Sequence, residues 1–194
     1  MGIIRLYEIC PEAEKAGVEN AVVTGVTDNT AEVKQGSIFV CVKGARFDGH
    51  SAAAEMLSKG AVMIVTDHDI KCGKQLVTDN TRLCLARLLN CFYGKPSEKL
   101  GLLAVTGTNG KTTTAHFVKH ILTTLGKKCG CVGTAGNDTC SGELKPSQHG
   151  TPTVPRATVL YSWLGEMVSN GADYCVMEAS SQALDQYRIC LLYT

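Results

Sequence analysis

Thr106-Gly107-Thr108-Asn109-Gly110-Lys111-Thr112-Thr113-Thr114 decides how this chain folds. The apolar run Leu102-Leu103-Ala104-Val105 precedes it, and Phe117, Ile121 and Leu125 recur after it at the four-residue spacing of a helix. Strand, glycine loop, lysine, hydroxyl and helix, in that order, are the layout of a phosphate-binding loop. Gly107 and Gly110 let the backbone turn tightly and aim its N–H groups at an anion. Lys111 supplies a cation for the outer phosphates, Thr112 a hydroxyl for magnesium, and the helix its positive N-terminal end. The common spacing, G-x-x-x-x-G-K-[ST], would place a glycine where Val105 stands, so this is a shorter form, Gly-Thr-Asn-Gly-Lys-Thr. A plain Gly-Asn turn would account for the glycines but not for Lys-Thr at the helix start.

The 194 residues have room for one large or two small domains. With 44% hydrophobic residues, 19% charged residues and a formal net charge of +1, the chain has neither the basic tract nor the field expected of a nucleic-acid or membrane-surface binder. The N-terminus lacks a signal peptide, Leu6 stands where a myristoylation motif wants Ser or Thr, and no apolar run reaches the ~20 residues that span a bilayer. These features predict a cytoplasmic protein. Its ten cysteines include no C-x-x-C pair and mostly lie in apolar runs, as buried hydrophobes of a reducing compartment do. Cys129 and Cys131, two apart on a predicted strand, share a face but lack partners for a soft-metal site.

The polar segment Gly94-Lys-Pro-Ser-Glu-Lys99 reads as a linker, giving domains over 1–96 and 97–194. Before it, patterning predicts strands at Ser37–Val42, Ala61–Thr66 and Gln75–Val77. It also predicts helices at Ser51–Lys59, closed by Gly60, and at Thr81–Tyr93, with Leu85, Leu88, Leu89 and Phe92 inward. After it come the glycine-loop unit, a strand at Cys129–Gly133 and a polar loop over 136–155. A helix at Ala157–Ser169 follows, with Trp163 phased into its apolar stripe, then a strand at Tyr174–Met177. The alternation makes the chain α/β. Two or three strands after residue 100 are few for a nucleotide-binding sheet, so the second domain is expected to be incomplete, with an open apolar edge.

Met177-Glu178-Ala179-Ser180-Ser181-Gln182-Ala183-Leu184 closes that last strand. Ligands in open α/β sheets bind beyond the carboxyl ends of strands, so Glu178 is placed to hold a hard cation. Ser180 and Ser181 add hydroxyls, and Arg188, about two turns on if the segment is helical, adds a fork for a carboxylate or phosphate. A strand end with an N-capping serine is the plainer reading of the segment taken alone. The glycine loop on a neighbouring strand favours the metal.

The loop, the Met-Glu-x-Ser-Ser-x-Ala-Leu run and Thr151-Pro152 together resemble the Mur ligases of peptidoglycan synthesis, and most closely the MurE type. Gly36-Ser-Ile-Phe-Val-Cys-Val-Lys-Gly44, Phe47-Asp-Gly-His50 and Gly60-Ala-Val62 are similar to that family's UDP-binding domain, and Phe92-Tyr-Gly-Lys-Pro-Ser97 to its interdomain segment. The resemblance covers nearly the whole chain to Arg188, although the glycine loop alone also suits folylpolyglutamate or cyanophycin synthetases. It implies a small UDP-binding α/β domain followed by an ATP-binding one, and an ATP-dependent amide ligase. That ligase would add lysine or meso-diaminopimelate to UDP-N-acetylmuramoyl-L-alanyl-D-glutamate through an acyl phosphate. By the same resemblance, Gly107, Thr108, Asn109, Gly110, Lys111, Thr112 and Thr113 would bind ATP, and Lys111 and Glu178 would be catalytic. Thr112 and Glu178 would hold Mg2+. Thr30, Thr151, Ser180, Gln186 and Arg188 would contact the UDP-muramoyl-peptide.

Some positions depart from the family pattern. Its Asp-Ser-Arg near the uridine is Asn29-Thr30-Ala31 here, its Pro-Gly-Asp is Gln35-Gly36-Ser37, and its two threonines before proline are Gly150-Thr151. The histidine of its Ser-Ser-His-Ala-Leu, which helps bind a second metal, is Gln182. Ala31 and Gln182 motivate an alternative, a non-catalytic nucleotide-binding remnant. A switch NTPase is disfavoured by the lack of an Asp-rich metal strand. The family's modified lysine and amino-acid-selecting domain would lie beyond Thr194, so these 194 residues alone are not expected to form amide bonds.

Overall fold

A computed structural model describes residues 3–45, 47–145 and 153–189. The chain forms two units, Met1–Phe92 and Tyr93–Thr194.

The first unit opens with β1 (Ile4–Arg5), α1 (Leu6–Ile9), α2 (Glu12–Lys15) and β2 (Val22–Val23), β1 and β2 pairing antiparallel. Its main sheet contains β3 (Gly25–Thr27), β4 (Ser37–Val40), β5 (Met63–Thr66) and β6 (Gln75–Val77) in the order β3-β4-β5-β6, every pair parallel. All four residues of β4 and of β5 are buried, as strands covered on both faces must be. Successive side chains alternate between faces. Phe39, Cys41 and Ile64 pack with Ala53 and Met56 of α3 (Ala53–Ser58). Against β3, β4 and β5 lies α4 (Thr81–Phe92), started by the Asn80 carboxamide oxygen accepting from Leu83 N, with the expected Leu85, Leu88, Leu89 and Phe92 buried. The helix expected over 51–59 begins differently. Asp48 caps a tight 3-10 turn at Gly49–Ala52, and only from Ala53 is the chain α-helical. Gly60 adopts φ +99°, and a Cβ there would stand 2.9 Å from Gln35 Cα, so glycine is required where α3 returns to the sheet.

The second unit holds α5 (Pro96–Lys99), β7 (Gly101–Val105), α6 (Lys111–Thr124), β8 (Cys129–Val132), β9 (Asn137–Asp138), β10 (Leu144–Lys145), α7 (Ala157–Ser169), β11 (Tyr174–Glu178) and α8 (Ser181–Asp185). Its sheet runs β10-β9-β8-β11-β7, parallel across β8, β11 and β7 and antiparallel through β9 and β10. Thus β7 is an edge strand among the described residues, with Leu103 partly exposed.

The apolar residues of α6 and α7 are unevenly buried, and Trp163, phased into the core by its spacing, is not fully enclosed. On α6 the sheet-facing residues are Ala115, Val118 and Leu122, which meet Cys129, Cys131 and Val176. Phe117, Ile121 and Leu125 are 64%, 55% and 70% exposed. The helix is apolar on two faces, and the small Ala115 lets the other one approach the strands. Phe117→Ala is therefore expected to shift unfolding free energy by no more than about 0.5 kcal/mol in a urea titration, instead of the ~3–5 kcal/mol of a core phenylalanine. On α7 the buried set is Ala157, Leu160, Tyr161, Leu164 and Met167, while Trp163 is only half-buried at the stripe's margin.

Nine cysteines are free thiols, and Cys190 lies outside the described residues. Burial pushes Cys10 and Cys41 up to about 12 and Cys84 and Cys129 up to about 11. They are protonated hydrophobes at neutral pH, and Cys129 and Cys131 both lie in the apolar cluster under α6.

Candidate active site: glycine loop and buried glutamate

The register of two parallel strands builds the site. Glu178 ends β11 directly opposite Val105, which ends β7, and Ala179 N donates to Val105 O at 2.8 Å. The glycine loop leaves the sheet at that point. Gly107 (φ +144°) and Gly110 (φ +77°) adopt backbone conformations that L side chains resist. Thr114 N donates to Gly110 O at 2.9 Å and closes the first turn of α6. Thr106, Thr108, Asn109 and Thr113 are exposed beside these glycines. Lys111, the first residue of α6, folds back so that Nζ donates to Gly107 O (2.7 Å) and Thr108 O (3.3 Å).

Beneath the loop Glu178 is 2% exposed. Its Oε1 accepts from Thr112 Oγ1 (2.9 Å), Thr134 N (2.9 Å) and Thr134 Oγ1 (3.0 Å). No Lys, Arg or His among the described residues forms an ion pair with it. A buried carboxylate held by hydroxyls and one N–H, without a counter-cation, is costly. Its oxygens, with those of Thr112 and Thr134, form a hard donor set suited to Mg2+. Gly133 makes room for the arrangement, because a Cβ there would fall 2.3 Å from Glu178 Oε1.

Sequence reasoning missed Thr134. It stands two residues beyond β8, where the pairing of Val132 with Met177 brings it beside Glu178. The Gly133-Thr134 pair at a strand's carboxyl end was the available signal.

The predicted substrate-side residues are less concentrated. Ser180 caps α8, its hydroxyl accepting from Ala183 N at 3.2 Å, as the plainer reading had it. The helix ends at Asp185 and Tyr187 takes φ +55°, so Arg188 sits in a turn and not two helical turns on. Its guanidinium donates to Val154 O (2.8 Å) and Gln186 Oε1 (2.5 Å). Gln182 is exposed on α8. Thr30 belongs to the first unit, in the turn after β3. There Asn29 Oδ1 accepts from Ala31 N, and Glu32 receives Thr27 Oγ1 (2.7 Å) and Asn29 Nδ2 (2.9 Å). Thr151 lies outside the described residues.

The second unit is thus an α/β domain with a mixed sheet, a glycine loop after β7 and an acidic residue at the end of the neighbouring parallel strand. The chain belongs to the Mur ligase family: residues 22–106 match the description "Mur ligase family, catalytic domain" and residues 105–193 match "Mur ligase middle domain". It is 40% identical over 176 residues to a UDP-N-acetylmuramoyl-L-alanyl-D-glutamate–2,6-diaminopimelate ligase of Bacillus cereus, covering 88% of this chain and 34% of the relative. It is 37% identical over 174 residues to ligase 2 of that name from Clostridium acetobutylicum, covering 88% and 36%. The chain therefore spans about a third of the length of these curated relatives. A solved ligase of the same name aligns with a TM-score of 0.73 at 25% identity, over 97% of this chain and 38% of that one. MurF ligase of Thermotoga maritima, solved in complex with ADP, aligns at 0.56 and 25% identity over 87% and 35%. Among the described residues no helix is long and apolar enough to cross a membrane.

Proposed function

We propose that this chain carries the UDP-substrate and ATP-binding portions of a cytoplasmic MurE-type ligase, which joins a diamino acid to UDP-N-acetylmuramoyl-L-alanyl-D-glutamate. The carrying observation is that Thr112, next to Lys111 at the start of α6, donates to Glu178 at the end of the strand beside β7. The names of the relatives support the substrate, and the ADP bound by the MurF neighbour supports the nucleotide.

The loop amides over 107–110 cradle the nucleotide phosphates. Lys111 exchanges two backbone carbonyls for phosphate oxygens, because an ammonium binds an anion more strongly than a neutral carbonyl. The step to be assisted is transfer of a phosphoryl group to a carboxylate that repels it, so the help comes from neutralising charge and fixing positions. Thr112, Thr134 and Glu178 would hold Mg2+, which when bound would supply positive charge to offset that of the phosphates. Glu178 is held in place by its three donors, and the Thr112 and Thr134 hydroxyls would turn their hydrogens away from it to join the ligand set. By the family resemblance, Thr30 in the first unit would serve the uridine end, and Ser180, Gln186 and Arg188 in the second unit would serve the muramoyl-peptide end.

Calorimetric titration of the 194-residue chain with ATP, with and without Mg2+, tests this reading. Binding that strengthens with Mg2+ is expected; equal binding in its presence and absence contradicts the metal assignment. Gln182 favours a second reading, a nucleotide-binding remnant that never releases phosphate in response to the UDP-dipeptide and amino acid. Phosphate release dependent on both substrates rules that out.

A further inference from the structure

A second cluster lies in the first unit, and none of its side chains has a role in the reading above. Asp48 precedes the 3-10 turn that carries His50, and Asp67 and His68 follow directly on β5. His68 is fixed by a local turn in which Thr66 Oγ1 donates to His68 O at 2.9 Å. The two imidazoles stack with centroids 4.9 Å apart and planes inclined by 29°. One ligand atom each from His50, Asp67 and His68 falls within 4.8 Å of the other two.

His50 shows what the cluster is built for. Its side chain is only 10% exposed. Nδ1 lies 2.5 Å from Asp48 Oδ1, which also accepts from His50 N at 3.1 Å. A carboxylate on Nδ1 fixes the proton there and leaves the Nε2 lone pair as the ring's free ligand. Nε2 is buried and makes no hydrogen bond, although Asp67 Oδ1 is 3.2 Å away. An imidazolium shared by two carboxylates would aim its second N–H at Asp67, and this oxygen lies off that direction. Two donors on one tetrahedral ion look like this instead. Bonds of about 2.0–2.1 Å place neighbouring ligand atoms about 3.3 Å apart, each off the other's lone-pair axis.

We propose that His50 Nε2, Asp67 Oδ1 and His68 Nδ1 form a binding site for a divalent transition metal of the Zn2+ class, with Asp48 as the outer carboxylate that orients His50. Two imidazoles and one carboxylate suit Zn2+ and its neighbours better than the all-oxygen preference of Mg2+. The fourth position is left to solvent or a ligand. His68 Nδ1 rests 2.5 Å from Asp67 Oδ1 and must open slightly to admit the ion. Both side chains are substantially exposed, so the adjustment needs no repacking. A bound ion would tie the 3-10 turn that precedes α3 to the end of β5.

The test is titration of the metal-stripped 194-residue chain with Zn2+ in excess Mg2+ by calorimetry, with Co2+ as the spectroscopic probe. One Zn2+ per chain is expected, with a rise in Tm. Cobalt should show visible d–d bands without the near-ultraviolet thiolate charge transfer that a cysteine site would give. His68→Ala and Asp67→Asn, both at exposed positions, should each weaken Zn2+ by about tenfold or more, and Asp48→Asn, which keeps the cap, by about 10–100-fold. All three should retain the metal-free Tm of the parent. Absence of binding, a thiolate spectrum, or equal affinity in His68→Ala and the parent overturns the proposal.

Discussion

Lys111→Ala is expected to weaken Mg2+-ATP binding by about 10- to 150-fold, the loss of one ammonium whose hydrogen bonds to phosphate contribute about 1.5–3 kcal/mol. Lys111 starts α6, and its Nζ already arches over the loop onto Gly107 O and Thr108 O. Those carbonyls are exposed and take water when the side chain is removed, so thermal stability should hardly change while affinity falls. In a ligase the deficit deepens at the transition state, where phosphoryl charge develops, and removing one such group typically costs about 10²–10³ in rate. Lys111→Arg should not restore binding, because a planar fork cannot replace a point charge inside a tight glycine turn. Calorimetry of the parent and both variants decides it. Unchanged affinity in Lys111→Ala, with the fold intact, would remove the loop from the nucleotide site.

The loop and Glu178 were legible because each rests on a local rule. Gly107, Gly110, Lys111 and Thr112 are a motif of contiguous residues, and an acidic side chain at a strand's carboxyl end points to the ligand side of a parallel sheet. Thr134 was not legible. A single threonine in a turn gains meaning only from the register that sets Val132 beside Met177, and that register is a long-range fact. The same limit explains α6. Its spacing showed a helix but not which of two apolar faces would meet the strands, and it is Ala115, Val118 and Leu122 that do, with Phe117, Ile121 and Leu125 exposed. Arg188 was displaced by backbone geometry, since Tyr187 at φ +55° breaks the helix that would have carried it further. His50 and Asp67 are seventeen positions apart and share no motif. Only the fold of the parallel sheet puts them together.

Glu178→Gln should separate stability from function in opposite directions. The carboxylate is buried and lacks an ionic partner among the described residues, so its charge opposes folding and is offset only by donors from Thr112 and Thr134. The amide keeps the volume, removes the charge and can still accept from Thr134 N through its carbonyl. Unfolding free energy should therefore stay level or rise. Mg2+ enhancement of ATP binding should disappear, because a neutral amide is a poor ligand for a hard divalent ion. The loss should exceed the about 10–100-fold that removal of an outer-shell partner costs a metal site. Gly133→Ala gives an independent check that leaves Glu178 chemically intact. Its Cβ would stand 2.3 Å from Oε1 and must push the carboxylate out of the grip of Thr134. The same loss of Mg2+ dependence is expected from it, now with lower stability, because a charge is displaced and Thr134 N loses its acceptor. If Glu178→Gln instead destabilises the chain and leaves Mg2+ dependence untouched, the carboxylate is a structural tie between β8, β11 and α6, and the metal belongs elsewhere on the loop.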